Sequence, residues 1–390
     1  MILTILVFLL ILTVLVLIHE LGHFLVAKKL GIKVEEFGFG IPPRAFGIKK
    51  GETLFSINWL PFGGFVKLYG EDEAGAGRVR SKKSEVRSEI NRAFFARPIG
   101  QRAAVCIAGV VMNAILAVVI FYAFLSISNF KTELPLLGEH KFFLVNQKDV
   151  SDIIISSVSK NSPAEKAGIK PLSKIMSVNG EKIISPDQFV FLINKNKGKN
   201  LLIMGKNVKT NQEFNINVIP RISPPKGEGA LGVAFFPIKT AVLSYDNLPQ
   251  KVFSGFTYPA NLLVYNFDVI SKLFAVSVKE KSAAPLSEGV SGPVGIYSLV
   301  GSIVSIPDAK ERILQILNLA GILSISLAFF NILPIPALDG GRLFFIAVEA
   351  VTKKKVNPKF ESYAHAIGMA ILLILIVLIT VKDIGRIFNP

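Results

Sequence analysis

Cysteine and histidine are scarce in this chain of 390 residues, which has one cysteine, Cys106, and four histidines. A single cysteine excludes an intrachain disulfide and any zinc finger built from several thiolates. Cys106 lies in an apolar run, which predicts a buried packing residue and not a nucleophile.

Acidic residues are also few, with 28 Asp and Glu against 44 Lys and Arg and a net charge of +16. Such a charge can indicate a nucleic-acid partner, but its distribution along the chain argues against one. Between Lys28 and Arg102 there are fifteen basic and eight acidic residues, directly between two apolar runs. This is the pattern of a cytoplasmic loop in a membrane protein, so we expect membrane lipid and no nucleic acid as a partner.

Long apolar runs occupy much of the chain, in which 51% of the residues are hydrophobic. That share is too high for an ordinary soluble enzyme and indicates a polytopic membrane protein. Four runs approach the roughly 20 residues needed to cross a bilayer. These predicted spans cover residues 2–27, 103–127, 313–333 and 366–381. The first has no basic leader and no small-residue cleavage site, so we interpret it as a retained span and not as a signal peptide.

The charges also predict the topology and the domain organisation. The loops 28–102 and 335–365 are basic and are expected on the cytoplasmic side, which leaves the middle region and both termini outside. We predict four parts with these bounds: residues 1–128 with two spans, 129–235 as an extracytoplasmic domain, 236–310 as an amphipathic helical linker, and 311–390 with the last two spans.

The outer domain is expected to be of the α+β type. Alternating apolar residues predict strands within 151–220, and Asn179-Gly180 predicts a tight turn between two of them. The stretch 162–168 predicts a short capped helix that ends at a glycine. Beyond the outer domain, residues 241–280 are predicted to form an amphipathic helix that lies on the membrane surface or on the outer domain.

The segment 53–69 predicts two short strands around a Pro-Phe-Gly-Gly turn. It is too apolar for a simple cytoplasmic loop, and we expect it to enter the membrane between helices. Backbone outside a helix is tolerated at that depth only where protein or trapped water provides its hydrogen bonds.

His19, Glu20 and His23 form a His-Glu-x-x-His motif within the first apolar run. Histidines four apart lie on one helix face and can hold one metal ion, while the adjacent glutamate can act as a general base toward water at the metal. The alternative is a chance match, because this short motif does occur by accident. Two of only four histidines fall in it here, in lipid-length sequence where unpaired polar groups are costly, so we favour a zinc site.

A catalytic zinc usually has three protein ligands, and Asp339 is the best candidate for the third. It follows an apolar run and is flanked by helix-breaking prolines and glycines, whereas the remaining histidines are His140 and His365. The alternative role for Asp339 is an N-cap of the helix over 341–350. Asn331 has two interpretations as well: an interhelical hydrogen bond, or an amide that orients the substrate carbonyl and stabilises the oxyanion.

The chain resembles the site-2 protease family of intramembrane zinc metalloproteases, in particular the bacterial regulator-of-sigma-E protease group. The resemblance is carried by His-Glu-Leu-Gly-His at 19–23, by Leu-Asp-Gly at 338–340 and by the frame that starts at Asn331. It implies a zinc metalloendopeptidase of the bacterial inner membrane whose site lies in the bilayer toward the cytoplasm. The residues that match the family's zinc ligands are His19, His23 and Asp339, and the one that matches its catalytic base is Glu20.

The resemblance extends to the β segments. Residues 37–40 with the hairpin 53–69 look like the family's membrane re-entrant β-element, and 158–184 resembles a PDZ domain. The stretch 170–175 departs from the PDZ pattern, which favours a size filter over a peptide-binding domain. The implied fold is a polytopic α-helical membrane protein with four transmembrane helices, a re-entrant β-hairpin and one extracytoplasmic PDZ-like domain.

The implied substrates are single-span membrane proteins already trimmed outside the membrane, either anti-sigma factors or remnant signal peptides. Two other classes compete with this hypothesis. A membrane scaffold that binds peptides through its PDZ-like domain would have no need of the base Glu20. A zinc-dependent transporter would need several polar positions in its spans and long repeated halves, which the sequence lacks.

Overall fold

The computed structural model describes residues 2–71, 90–208, 212–284, 287 and 289–388. The chain separates into two compact units, one formed by Met1–Phe124 with Tyr258–Pro390 and the other by Leu125–Thr257. The predicted domain boundary at residue 235 falls inside a strand of the second unit.

Helices and strands follow one another along the described chain in this way. The α-helices are α1 (Ile2–Lys29), α2 (Ile99–Ile127), α3 (Pro163–Lys166), α4 (Pro186–Lys195), α5 (Leu248–Glu280), α6 (Pro293–Val304), α7 (Ala309–Ile332), α8 (Asp339–Thr352) and α9 (Pro358–Phe388). The strands are β1 (Val34–Lys50), β2 (Thr53–Leu68), β3 (Lys131–Leu136), β4 (Asn146–Val158), β5 (Ser173–Val178), β6 (Glu181–Lys182), β7 (Leu201–Asn207), β8 (Glu213–Val218) and β9 (Val233–Ser244).

Five helices of the described chain, α1, α2, α5, α7 and α9, are long and apolar enough to cross a membrane. The sequence predicted four spans, which correspond to α1, α2, α7 and α9. The last is longer than predicted, since its apolar segment covers Lys359–Arg386. The fifth, α5, lies where an amphipathic helix was predicted, although residues 241–244 of that prediction belong to β9.

Helices α1 and α2 approach each other closely because glycine occupies the contact. A Cβ added at Gly22 would lie 2.7 Å from the Ala108 carbonyl carbon and from Cγ of Met112. Small residues at helix contacts let two backbones approach in this way, which is common between membrane helices. Gly22 therefore determines how near α2 lies to the polar residues of α1.

The helices of the first unit are also joined by apolar and ionic contacts. Ile11 and Leu15 of α1 pack with Val300 of α6 in a buried cluster. Arg102 of α2 and Glu349 of α8 form an ion pair of 2.7 Å with little exposure of either side chain. The ion pair holds α8 beside the start of α2, the end that is predicted to be cytoplasmic.

The end of α9 is fixed to the start of α6 by one carboxylate. Asp383 is buried and its Oδ2 accepts hydrogen bonds from the backbone N–H groups of Gly292, at 2.8 Å, and Gly295, at 2.9 Å. The carboxylate thus provides hydrogen-bond acceptors for two backbone N–H groups at the start of α6. The N-cap residue, Gly292, has no side chain that could accept these bonds.

Strands β1 and β2 form a sheet of four segments, because each strand bends and changes partner along its length. Phe37 pairs with Val66 on one side and with Phe55 on the other, and Lys50 pairs with Thr53 at the turn. The order across the sheet is 64–68, 34–39, 54–58 and 44–50. The sequence predicted two short strands within 53–69, whereas β2 continues through the predicted turn and β1 supplies the rest of the sheet.

The turn between β1 and β2 is held to α1 by a carboxylate between two cations. Glu52 Oε1 lies 2.7 Å from Nη2 of Arg92 and 2.7 Å from Nζ of Lys28. Hydrogen bonds from Arg92 and then from Lys28 lower the pKa of Glu52 to about 2. The carboxylate is therefore ionised at neutral pH, and this end of the sheet is fixed beside the end of α1.

The second unit is built on an antiparallel sheet in the order β3-β9-β4-β5-β7-β8, with β6 paired to β5. Its core includes Ile153, Ile155, Ile175 and Phe189, all at most 5% exposed. The unit combines this sheet with the two short helices α3 and α4, as expected for an α+β domain.

Two local predictions for this unit are confirmed. Asn179 and Gly180 form the turn between β5 and β6, and both have positive φ, at 50° and 78°. At the start of α3, Ser162 Oγ accepts a hydrogen bond from the Glu165 N–H at 3.1 Å. The helix is followed by Gly168, whose φ is +84°.

The close approach of α1 and α2 gives a stability prediction. Because a Cβ at position 22 collides with backbone, Gly22→Ala should destabilise the protein by about 1–3 kcal/mol, the usual cost of overpacking. The melting temperature of the detergent-solubilised protein measures this loss. Gly100→Ala on α2 is the matched control, since nothing lies within 4 Å of a Cβ there. Equal melting temperatures for the two variants would contradict the packing described for Gly22.

Candidate metal centre

Helix α1 presents two imidazoles one turn apart on the same face. Nε2 of His19 lies 3.2 Å from Nε2 of His23, and His23 is buried. The spacing of four residues places both rings over one point on the helix surface. Two nitrogen lone pairs can therefore be directed at a single cation.

The third potential ligand is supplied from the opposite end of the chain. Oδ2 of Asp339 lies 3.0 Å from Nε2 of His19 and 3.3 Å from Nε2 of His23. Within the described residues, these three form the group of metal-binding side chains whose ligand atoms converge. The two remaining histidines do not join it: His140 belongs to the other unit, and His365 Nδ1 accepts a hydrogen bond from the Ala337 N–H at 2.9 Å.

Asp339 reaches this position because α8 begins there. The N-cap of α8 is Leu338, and Asp339 is the first helical residue, so the N-cap role considered for Asp339 is wrong. The following glycines allow the helix to begin against the turn before it. A Cβ at Gly340 would lie 2.5 Å from the carbonyl group of Ile332, and one at Gly341 would lie 2.9 Å from Cα of Pro336.

The three ligand atoms fit a small divalent cation. Ligands at the usual zinc distance of 2.0–2.1 Å in tetrahedral geometry are about 3.3 Å apart, which agrees with the separations of 3.0–3.3 Å here. In addition, Oδ2 of Asp339 is buried and has no hydrogen-bond partner of adequate geometry. Buried carboxylate oxygens need a partner, and a cation between the three groups would provide it.

Glu20 lies next to the ligands without being one of them. Its carboxylate lines the same cavity and takes a hydrogen bond from the backbone of Val66 on β2. A Cβ at Gly64 would lie 3.4 Å from Cγ of Glu20, so β2 passes directly beside this side chain. Glu20 is thus held between α1 and the outer segment of the sheet, where it can exchange a proton with a molecule in the cavity.

Helix α2 closes the other side of the site. His23 Nδ1 lies 2.8 Å from the carbonyl oxygen of Val105, and His19 Nδ1 lies 3.4 Å from Nδ2 of Asn113. Between them is Gly109, where a Cβ would lie 2.6 Å from Cε1 of His19. The sequence alone assigned no role to Gly109, although a glycine four residues before an asparagine in an apolar helix is a usable signal for close helix contact.

Two cavities meet at His19, Glu20 and Asp339, and His23 lines the larger of the two. One, of about 350 Å³, is also lined by Glu71, Arg342 and His365, and the Arg342 guanidinium pairs with the Glu71 carboxylate. The other, of about 280 Å³, is also lined by Asn331, the residue considered from the sequence as a possible oxyanion donor. The structure therefore brings together all five residues singled out from the sequence: His19, Glu20, His23, Asn331 and Asp339.

Comparison with known proteins agrees with this arrangement. Residues 7–375 match the model of peptidase family M50. A candidate zinc metalloprotease of Clostridium perfringens is 32% identical over 370 residues, 95% of each chain. The regulator of sigma-W protease RasP of Bacillus subtilis is 29% identical over an alignment that covers 99% of each chain. Zinc metalloprotease RasP of Geobacillus kaustophilus is 28% identical, with 96% of each chain covered.

The match extends over nearly the whole chain, and the resemblance to the site-2 proteases is confirmed. The names of these relatives imply zinc, which the donor set of two imidazoles and one carboxylate fits. The chain belongs to peptidase family M50 and is a metalloprotease.

Proposed function

We propose that this protein hydrolyses peptide bonds within the membrane-spanning segments of single-span membrane proteins. The observation that carries the proposal is the position of the site: the three ligand atoms and Glu20 meet beside α1 and α2, two helices apolar enough to cross a bilayer. Polar groups are retained in such segments mainly where function needs them.

The proposed reaction uses the residues in distinct roles. His19, His23 and Asp339 would hold zinc, which when bound acidifies water and polarises a carbonyl. Glu20 takes a proton from the attacking water and returns it to the leaving amine, since its carboxylate lines both cavities and is itself no ligand. Asn331 lines the smaller cavity, where its amide can donate to the substrate carbonyl and stabilise the oxyanion.

Substrate binding is the proposed role of the outer sheet segment 64–68. A transmembrane helix has its amides bonded internally, so it must be unwound before attack, and a strand edge can replace the lost bonds. Phe65, Val66 and Leu68 line the larger cavity beside Glu20. The neighbouring segment 54–58 lies inside the sheet, because Phe55 is paired with Phe37 on one side and with Ile48 on the other. It therefore offers no edge to a substrate.

The topology that we propose places the site toward the cytoplasm. The excess of basic residues in 28–102 supports this orientation. Glu349 and Arg342 of α8 pair with Arg102, at the start of α2, and with Glu71, just after β2. The segment between α7 and α9 therefore lies on the same side of the membrane as the segment between α1 and α2. An even number of crossings must then separate the end of α2 from the start of α7, which favours a position of α5 along the membrane surface.

The outer domain and the substrates follow from the same proposal. Residues 129–235 would lie outside the membrane as a PDZ-like domain that excludes untrimmed substrates. Substrates would be anti-sigma factors or remnant signal peptides, and the Bacillus subtilis relative is named a regulator of sigma-W protease. A peptide-binding scaffold is the second candidate, and the position of Glu20 beside the ligands argues against it.

Substitution of Glu20 tests the enzymatic role. Glu20→Gln removes the base but keeps the size of the side chain, so it should lower kcat by about 10²–10⁴-fold, the usual contribution of a general base. The rate is measured with purified protein and a single-span reporter in proteoliposomes. Glu311→Gln, at the first turn of α7, is the matched control and should cleave at the normal rate. Full activity of Glu20→Gln would refute the proposed chemistry.

Photo-crosslinking tests the substrate-binding edge. In the Glu20→Gln background, p-benzoylphenylalanine in place of Phe65 should crosslink to the single-span reporter, because Phe65 lies on the outer segment beside the cavity. The same probe in place of Phe46, on the opposite outer segment, is the control and should give little product. Preferential crosslinking from position 46 would assign the substrate to the other edge of the sheet.

A further inference from the structure

Asn113 on α2 is completely buried and faces the back of a metal-ligand imidazole. Its Nδ2 lies 3.4 Å from Nδ1 of His19, on the side of the ring away from Asp339. Its Oδ1 is buried too and has no hydrogen-bond partner. An unpartnered amide oxygen in a membrane-embedded site is costly, so a donor is expected for it.

The position of Asn113 is fixed from a third helix. Its backbone carbonyl oxygen accepts a hydrogen bond of 2.8 Å from Oγ of Ser324 on α7, and Ser324 is also fully buried. The side chain therefore has little freedom to move away from His19, but the amide can turn about its last bond and exchange the places of its oxygen and nitrogen.

The proton on His19 decides which orientation applies with metal present. A neutral imidazole that binds a cation through Nε2 carries its proton on Nδ1, which can then only donate a hydrogen bond. The amide nitrogen of Asn113 is a donor as well and cannot accept that proton. With the amide turned, Oδ1 accepts from Nδ1 of His19 and gains the donor that it otherwise lacks.

His23 already has the equivalent arrangement. Its Nδ1 lies 2.8 Å from the carbonyl oxygen of Val105, also on α2. Both imidazoles would thus bind metal with one nitrogen and donate to an oxygen of α2 with the other. Metal-binding histidines usually donate to such an acceptor, which fixes the tautomer and the direction of the ring.

We propose that Asn113 is the positioning residue of the metal ligand His19: its side-chain oxygen accepts the Nδ1 proton and holds the ring in the metal-binding tautomer. The inference rests on the zinc site of the proposed function and deepens it. Asn113 acts through His19 and is a positioning residue, not a catalytic one. The residue also lines the smaller cavity, so a direct role in substrate binding is the competing explanation.

Zinc affinity separates the two explanations. We expect Asn113→Leu to bind zinc 10–100-fold more weakly, as is typical when such an acceptor is lost. Asn113→Asp retains an acceptor and should bind zinc within a few-fold of the unaltered protein. The dissociation constant is measured by competition with a chromogenic chelator on the full chain in detergent. Asn331→Leu is the matched control, because it removes another amide that lines the same cavity, and it should leave zinc affinity unchanged.

The outcomes are distinct. Normal zinc affinity of Asn113→Leu with a raised KM would overturn the inference and assign Asn113 to the substrate, while the proposed protease activity would stand. Weaker zinc binding in Asn113→Leu, with normal binding in Asn113→Asp, would support the inference even if the unaltered protein failed to cleave the reporter. If Asn113→Leu melts early, Asn113→Ala gives the same comparison, and equal loss of affinity in Asn113→Asp and Asn113→Ala would overturn the inference.

Discussion

The convergence of three ligand atoms from the two ends of the chain is the interaction on which the rest of this site depends. His19 and His23 arrive on α1, and Asp339 arrives at the first residue of α8, so that the carboxylate oxygen lies 3.0 and 3.3 Å from the imidazole nitrogens. The arrangement leaves a buried carboxylate oxygen without a hydrogen bond, which a divalent cation would satisfy. The surrounding helices are organised so that this convergence is possible.

Glycines at the helix contacts allow the helices to pack closely around the site. Gly109 leaves room on α2 for the two imidazoles, and Gly340 leaves room for α8 to begin against the end of α7. The α2 backbone then supplies an acceptor to His23, while Asn113 lies behind His19. Ligand direction is thus determined by neighbouring helices, which is the usual way in which metal-binding rings are held.

The sequence was sufficient to predict the chemistry but not the contacts that position it. Apolar runs predicted α1, α2, α7 and α9, and the spacing of His19 and His23 predicted a shared face. Local turn chemistry at Asn179 and Gly180 was also predicted, because it depends on two adjacent residues only. The four-segment sheet was missed, since the change of partner along β1 and β2 depends on contacts that no local pattern encodes. The role of Gly109 was missed for the same reason, because it follows from which helix packs on α1.

The metal content of the purified protein tests the central claim most directly. Elemental analysis of the detergent-solubilised chain should find one zinc per molecule, and Asp339→Ala should lose most of it, because two imidazoles alone bind zinc far more weakly than a three-ligand site. Asp149→Ala, in the other unit, should retain the metal. Absence of stoichiometric zinc from the unaltered protein, or full zinc content in Asp339→Ala, would contradict the account.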